Sequence, residues 1–220
     1  MEDIKKWNFA HTLWMLSAGA ASLFFGEVNI LSVAVFISFC LYIYLHKTLL
    51  STFSPYGGYA NRVSLFRWLL ILLGGGMLTQ WKVVYSFPFF LIALFLDGLD
   101  GYLARKYDQA SDFGAYFDME TDAFYVAFLS TFWVLEGRVG AWLLFVGFLR
   151  YLYVIALKIF RLEGKKEKST RFAKTIAVVM MATLLGPFLL PDFLYLPAII
   201  IAALMTVYSF GVSFVSRFGE

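Results

Sequence analysis

Charge is what this sequence has least of. Only 15% of its 220 residues are charged while 61% are hydrophobic, far from the balance of a soluble globular domain. Cysteine is nearly absent too: Cys40 stands alone in an apolar run, so no intrachain disulfide can form, and a small core residue is expected there. The apolar stretches do not alternate with polar residues, which excludes a membrane-spanning β-barrel. No repeat recurs at a clear period. No nucleic-acid recognition module accompanies the basic residues, so no nucleic-acid partner is expected.

What the chain does have is apolar runs of about 20 residues, the length a helix needs to cross a bilayer. They predict an all-α polytopic membrane protein with eight spans, near 9–25, 28–45, 63–78, 83–105, 113–135, 140–160, 172–190 and 193–214. The S-A-G-A-A stretch in the first run has the look of a signal-peptide cleavage region. A retained helix is expected instead, because the apolar run continues beyond it. A polar interval from His46 to Arg62, with Ser54, Pro55, Gly57 and Gly58 as turn residues, sets the first two spans apart. Pro187, Pro191 and Pro197 shape the turn before and into the last span.

Lys and Arg fall almost entirely on one side of this arrangement. Both termini, the 46–62 interval, the 106–112 link and the 161–171 loop share that side, which is therefore cytoplasmic; Lys82 and Arg138 lie opposite. The loop's Lys158, Arg161, Lys165, Lys166 and Lys168 are expected to anchor against anionic headgroups of membrane lipids. Trp7, Trp14, Trp68, Trp81, Trp133 and Trp142 fall near span ends and are expected at the membrane interface or facing lipid.

Against this apolar background, residues 97–122 are conspicuous for their acids. Asp97, Asp100, Asp118 and Asp122 lie in or beside expected spans, where carboxylates are costly and functional by default. Spacings of i,i+3 and i,i+4 predict that each pair shares a helix face. Two helices presenting paired carboxylates suit a hard divalent cation, which prefers oxygen ligands and completes its shell with water and phosphate. Gly101 and Ala104 keep the acidic face free of bulk, Arg105 offers a planar fork suited to phosphate, and Gly114 stands one turn before Asp118. Glu120, between the two later acids, points to another face of the helix. Arg67 and Arg150, inside expected spans, and Arg171 and Lys174, at a helix start, are candidates for an acceptor or phosphate site.

Together these residues spell D-x2-D-G-x2-A-R-x8-G-x3-D-x3-D, with every fixed position filled. The pattern resembles the signature of the CDP-alcohol phosphotransferases. The stretch from Asn61 to Arg67 is similar to the start of the first core helix in that family, where Asn, a hydroxyl residue and Arg recur at this spacing. Asn61 itself also suits a helix N-cap. The resemblance implies a six-helix catalytic domain over residues 60–220, preceded by an added helix pair and cytoplasmic linker over 1–59. It implies two divalent ions, Mg²⁺ or Mn²⁺, held by Asp97, Asp100 and Asp118 with help from Asp122. Gly101, Ala104, Arg105 and Gly114 would line the CDP and phosphate site, and Asp122 would take the proton of the attacking hydroxyl.

The activity implied is phosphatidyl transfer from CDP-diacylglycerol to an alcohol acceptor with release of CMP. Some relatives exchange the roles, moving a phospho-alcohol from a CDP-linked small alcohol to diacylglycerol. Many family members carry Lys after the last Asp, whereas this chain has Ala123, so no single subfamily is indicated. The family often forms homodimers, and a prokaryotic inner (plasma) membrane location with the active site facing the cytoplasm is expected. Two other readings fit the sequence less well. An intramembrane prenyltransferase would space its acids differently, and an ion-coupled transporter would bring broken helices and inverted repeats.

Overall fold

A computed structural model describes residues 2–80, 83–162 and 171–217, with the side chain of Arg171 excepted. Every regular element among the described residues is helical. In chain order they are α1 (Glu2–Phe25), α2 (Asn29–Leu45), α3 (Lys47–Leu50), α4 (Gly58–Leu78), α5 (Val83–Leu96) and α6 (Leu99–Lys106). Then follow α7 (Asp112–Leu135), α8 (Trp142–Gly147), α9 (Leu149–Ile159), α10 (Arg171–Thr183), α11 (Gly186–Leu189) and α12 (Asp192–Ser216). The chain divides into two compact units, Met1–Tyr125 and Val126–Glu220.

Within the first unit, α1 buries Ile4, Trp7, His11, Met15, Ala18 and Ser22, a stripe at helical spacing. It packs on the matching stripe of α2, formed by Leu31, Ala34, Val35, Ser38, Phe39 and Tyr42. Cys40 lies off that stripe and is exposed, so the expectation of a core cysteine is corrected. The helix turns Cys40 away from the face that α1 covers.

The tryptophans need a similar correction. Trp14 and Trp142 are exposed as expected, but Trp7, Trp68 and Trp133 are buried. Ring packing explains this for all three, joined by an internally satisfied N–H at Trp7 and Trp133; the buried Trp68 N–H has no hydrogen-bond partner among the described residues. Trp7 stacks on Tyr42 at 3.9 Å and donates to Ser38 O, while Trp68 packs between Phe36 and Phe39. In the second unit Trp133 donates to Leu184 O at 2.9 Å. A ring whose only polar atom is satisfied internally packs as well as any apolar one. Trp81 and Lys82 lie outside the described residues, as do Lys165, Lys166 and Lys168.

By length and composition, three helical stretches among the described residues can cross a bilayer: Val83–Lys106, taken through its central turn, Phe172–Leu189 and Asp192–Ser216. The other five expected spans are helical too, but none stands out as a span on these grounds. Helix α2 has 17 residues, and the 140–160 stretch is divided at Phe148 into α8 and α9. Polar residues dilute α1, α4 and α7, and in α4 and α7 these include Arg67, Asp118 and Asp122.

In the second unit, Tyr153, Leu157 and Leu162 form a cluster against Phe210 and Phe214 of α12. Tyr195 donates its hydroxyl to Arg138 O at 3.1 Å, tying the start of α12 to the turn after α7.

Candidate functional site

The acidic stretch begins with a break. Asp97 follows the last turn of α5, and Gly98 takes φ +80°, a left-handed conformation that glycine adopts without steric cost. The axis is interrupted there, and α6 restarts at Leu99 with Asp100 in its first turn. This corrects the expectation that Asp97 and Asp100 share one face of one continuous helix. They meet because the turn folds both toward α4.

The partner they meet is Arg67, whose side chain is only 2% exposed. Its Nη2 lies 2.9 Å from Asp97 Oδ1 and 2.5 Å from Asp122 Oδ1. Its Nη1 lies 2.9 Å from Asp100 Oδ2 and 2.5 Å from Asp118 Oδ1. The remaining donor, Nε, reaches Ala93 O at 3.2 Å. One planar guanidinium thus gathers all four acids, each through a single oxygen. Lys, with a point charge on a flexible stem, could not span four partners in this way.

Asp100 is the most enclosed of the four and the best held. Its Oδ2 also accepts from Ser64 Oγ at 2.8 Å, and its Oδ1 from the Gly101 N–H at 2.6 Å. Asp118 and Asp122 follow on α7 at i,i+4, so one helix face carries both, as their spacing predicts. Asp97, Asp118 and Asp122 are half-buried and open on one side.

Oxygens of Asp97, Asp100 and Asp118 all lie within 4.8 Å of one another. Three hard carboxylates at that separation suit a small divalent cation, whose bonds to oxygen are about 2.0–2.1 Å for Mg²⁺. The donor set therefore fits such an ion.

The glycines and neighbouring residues shape the surroundings. A Cβ on Gly114 would sit 2.5 Å from Asn61 Oδ1, so any side chain there would displace the Asn61 amide. Asn61 is buried inside α4, which begins at Gly58 behind a left-handed Gly57. It is not the N-cap that sequence suggested. At Gly101 a Cβ would meet only the Arg105 guanidinium, at 3.5 Å. Ala104 is half-buried and Arg105 exposed beside it. Gln109 ties the polar interval to this end of the unit, accepting from Tyr59 N at 2.8 Å and donating to Ser54 O at 3.0 Å.

Arg67, Asp97, Asp100, Asp118 and Asp122 therefore converge, with Ser64 added. In the second unit Arg150 is half-buried in the first turn of α9, and Lys174 is exposed on α10. The side chain of Arg171 lies outside the described part. Glu120, expected on another face of α7, belongs to a second polar cluster whose other members sequence reasoning missed. Asn8 and His11 of α1 and Ser38 of α2 are buried with Glu120 of α7. The available signal was Asn8 and His11 at i,i+3 where the first apolar run begins.

Residues 58–211 match the family model of CDP-alcohol phosphatidyltransferase, a stretch that includes every residue of the acidic site. A protein of Aquifex aeolicus (strain VF5), described as uncharacterized, is 31% identical over 80 residues. That alignment covers 36% of this chain and 41% of the relative, so the chain spans under half of that protein's length. With more than half its residues inside the family model, the chain belongs to the CDP-alcohol phosphatidyltransferase family.

Proposed function

We propose that this protein is a membrane phosphotransferase of phospholipid synthesis, moving a phosphatidyl group from CDP-diacylglycerol to an alcohol acceptor and releasing CMP. The observation that carries the reading is the convergence of Asp97, Asp100, Asp118 and Asp122 on one point. Asp97, Asp100 and Asp118, with Asp122 beside them, would hold a pair of divalent ions, Mg²⁺ or Mn²⁺. Bound there, the ions would neutralise charge on the donor's pyrophosphate and on the departing CMP.

The chain's own residues supply the rest. Asp122, half-buried at the open edge, accepts the proton of the acceptor hydroxyl, a poor nucleophile at neutral pH without a base. The hydroxyl oxygen forms the new bond to the phosphatidyl phosphorus, the bond from that phosphorus to the CMP oxygen breaks, and CMP leaves with the electron pair. Arg67 holds Asp122 and Asp118 in place through separate nitrogens, which keeps the base aimed while the other acids bind. Gly101, Ala104, Arg105 and Gly114 border the donor phosphates, where small side chains admit the ligand and the exposed Arg105 fork meets its charge.

In this reading the acyl chains of the donor enter from the bilayer, and the site opens to the cytoplasmic side of a prokaryotic plasma membrane. The catalytic domain is residues 60–220 in a homodimer, each protomer built from a six-helix core behind the added N-terminal pair. Arg150, Arg171 and Lys174 select the acceptor, with a phosphorylated alcohol needing their charge and a neutral one not.

CMP release by the purified protein, with and without Mg²⁺, tests the proposal across serine, glycerol phosphate, inositol, inositol phosphate, ethanolamine and choline. Metal-dependent release from CDP-diacylglycerol with one acceptor is expected. Release only from CDP-choline or CDP-ethanolamine with diacylglycerol would reverse donor and acceptor. Silence in both formats, with no Mg²⁺-dependent CDP binding, would reject the function.

A further inference from the structure

Glu120 sits between two residues of the acidic site yet takes no part in it. Its side chain is fully buried, and its Oε1 accepts from Asn8 Nδ2 of α1 at 2.7 Å. His11 Nε2, one turn further along α1, lies 3.7 Å from Oε2. The other ring nitrogen, Nδ1, is 2.8 Å from Ser38 Oγ of α2. A chain of polar contacts thus runs from both N-terminal helices to one carboxylate on α7.

Aromatic packing continues the grip along the same side of α7. Tyr42 stacks on Phe113 at 4.5 Å and donates its hydroxyl to Phe113 O at 3.1 Å. Phe39 packs on Phe117 at 4.9 Å. Phe113, Phe117 and Glu120 stand at i, i+4 and i+7, a single stripe. Gly114, Asp118 and Asp122 form a stripe on the far side of the helix, which faces the site. At about 100° per residue, Glu120 projects about 180° from the midpoint between Asp118 and Asp122.

An anchor on that side sets the rotation of α7 about its axis. A roll of about 10° moves a carboxylate about 5 Å from the axis by roughly 1 Å. Misplacement of that size costs on the order of 100-fold in rate. Packing alone would be served by an apolar residue at 120, because a buried carboxylate is costly unless its partners are good. Residues 1–57, which provide those partners, lie outside the stretch that matches the family model.

We infer that Glu120 is a positioning residue: clamped by Asn8 and His11, it sets the rotation of α7 and with it the aim of Asp118 and Asp122. The N-terminal helix pair is then part of the working enzyme, holding the catalytic helix from behind. This rests on the proposed phosphotransferase reading.

The test uses the full chain, in the assay format active for the wild type, with Asn8→Ala, Glu120→Ala, the double variant and Glu120→Gln. Three readouts are taken: kcat and KM for CMP release, Mn²⁺ affinity by electron paramagnetic resonance, and Tm. Loss of partners that orient metal-binding residues typically costs about 10–100-fold in affinity or activity. The single variants are expected to fall within that range in kcat and in Mn²⁺ affinity, with the acceptor KM unchanged. The double variant should be no worse than Glu120→Ala. Glu120→Gln, which keeps an acceptor for Asn8, should return to within about threefold of wild type.

Variants that lose Tm yet keep wild-type kcat and Mn²⁺ affinity would overturn the inference, as would additive losses in the double variant. Should Glu120→Ala not fold, Ser38→Ala loosens only His11 and is judged on the same readouts. A wild type that neither binds Mn²⁺ nor releases CMP would instead reject the phosphotransferase reading itself.

Discussion

The first unit holds two buried polar clusters, and they are built on opposite terms. Around Arg67, four carboxylates share one guanidinium, and Asp97, Asp118 and Asp122 keep 16%, 37% and 26% of their side chains open. Around Glu120, one carboxylate meets Asn8 and His11, and none of its side chain is open. The first cluster carries more negative charge than its own residues neutralise and has a way in. The second holds a single carboxylate and is sealed. Excess charge with access is a demand for a cation from outside, whereas closure serves geometry.

The largest expected effect breaks the first cluster at its base. Asp122→Asn keeps the shape and a contact to Arg67 but removes the proton acceptor, so kcat should fall on the order of 10²–10⁴-fold. Isothermal titration should find Mg²⁺-dependent CDP binding largely retained. Wild-type turnover in this variant would remove Asp122 as the base.

Next comes Arg67→Met, which leaves the carboxylates to repel one another. Losing one partner of a buried ion pair costs about 3–5 kcal/mol. Thermal unfolding should register a loss of that order in EDTA and a smaller one in Mg²⁺, since cations then replace the missing charge. Equal losses in both media would mean that Arg67 and the metal do not share the acids.

Asp97→Ala asks whether the excess charge is what binds metal. It should weaken Mg²⁺-dependent CDP affinity about 10-fold or more by titration, with Tm little changed because Asp97 is partly open. Unchanged affinity would remove Asp97 from the ligand set.

A smaller effect is expected where α4 and α7 touch. In Gly114→Ala the added Cβ would fall 2.5 Å from Asn61 Oδ1, and overpacking of that kind costs about 1–3 kcal/mol. Urea unfolding would measure it. Cys40→Ala closes the series. On an exposed face of α2, it should change stability by less than about 0.5 kcal/mol and leave CMP release untouched.

The contrast between the clusters also explains what could be read in advance. Asp118 and Asp122 are one turn apart on one helix, so their common face follows from spacing alone. Asp97 and Asp100 invited the same inference and failed it, because Gly98 interrupts the axis. The D-G pair was visible, but which glycines take a left-handed φ depends on what the chain must reach. Arg67 was singled out as an arginine in an apolar span, yet its four partners belong to two other stretches, and no local pattern joins them. Glu120 shows the limit most clearly. Its partners lie 112 and 109 positions away, and only packing brings α1 to α7. Burial of Trp7, Trp68 and Trp133 escaped for the same reason, since an indole serves equally at an interface or in a core.

The turn at Gly98 has a mechanical consequence. In one unbroken helix the separation of Asp97 and Asp100 would be tied to helical pitch, and any tilt of the span would be transmitted rigidly to both acids. With α5 ending at Leu96 and α6 restarting at Leu99, the turn rather than helical pitch sets how the two acids are spaced. Arg67 of α4 bridges the joint, donating to Ala93 O on α5 and, with Ser64, holding Asp100 on α6. Apolar length and the placement of charge thus belong to different pieces of one stretch, with Arg67 as the pin between them.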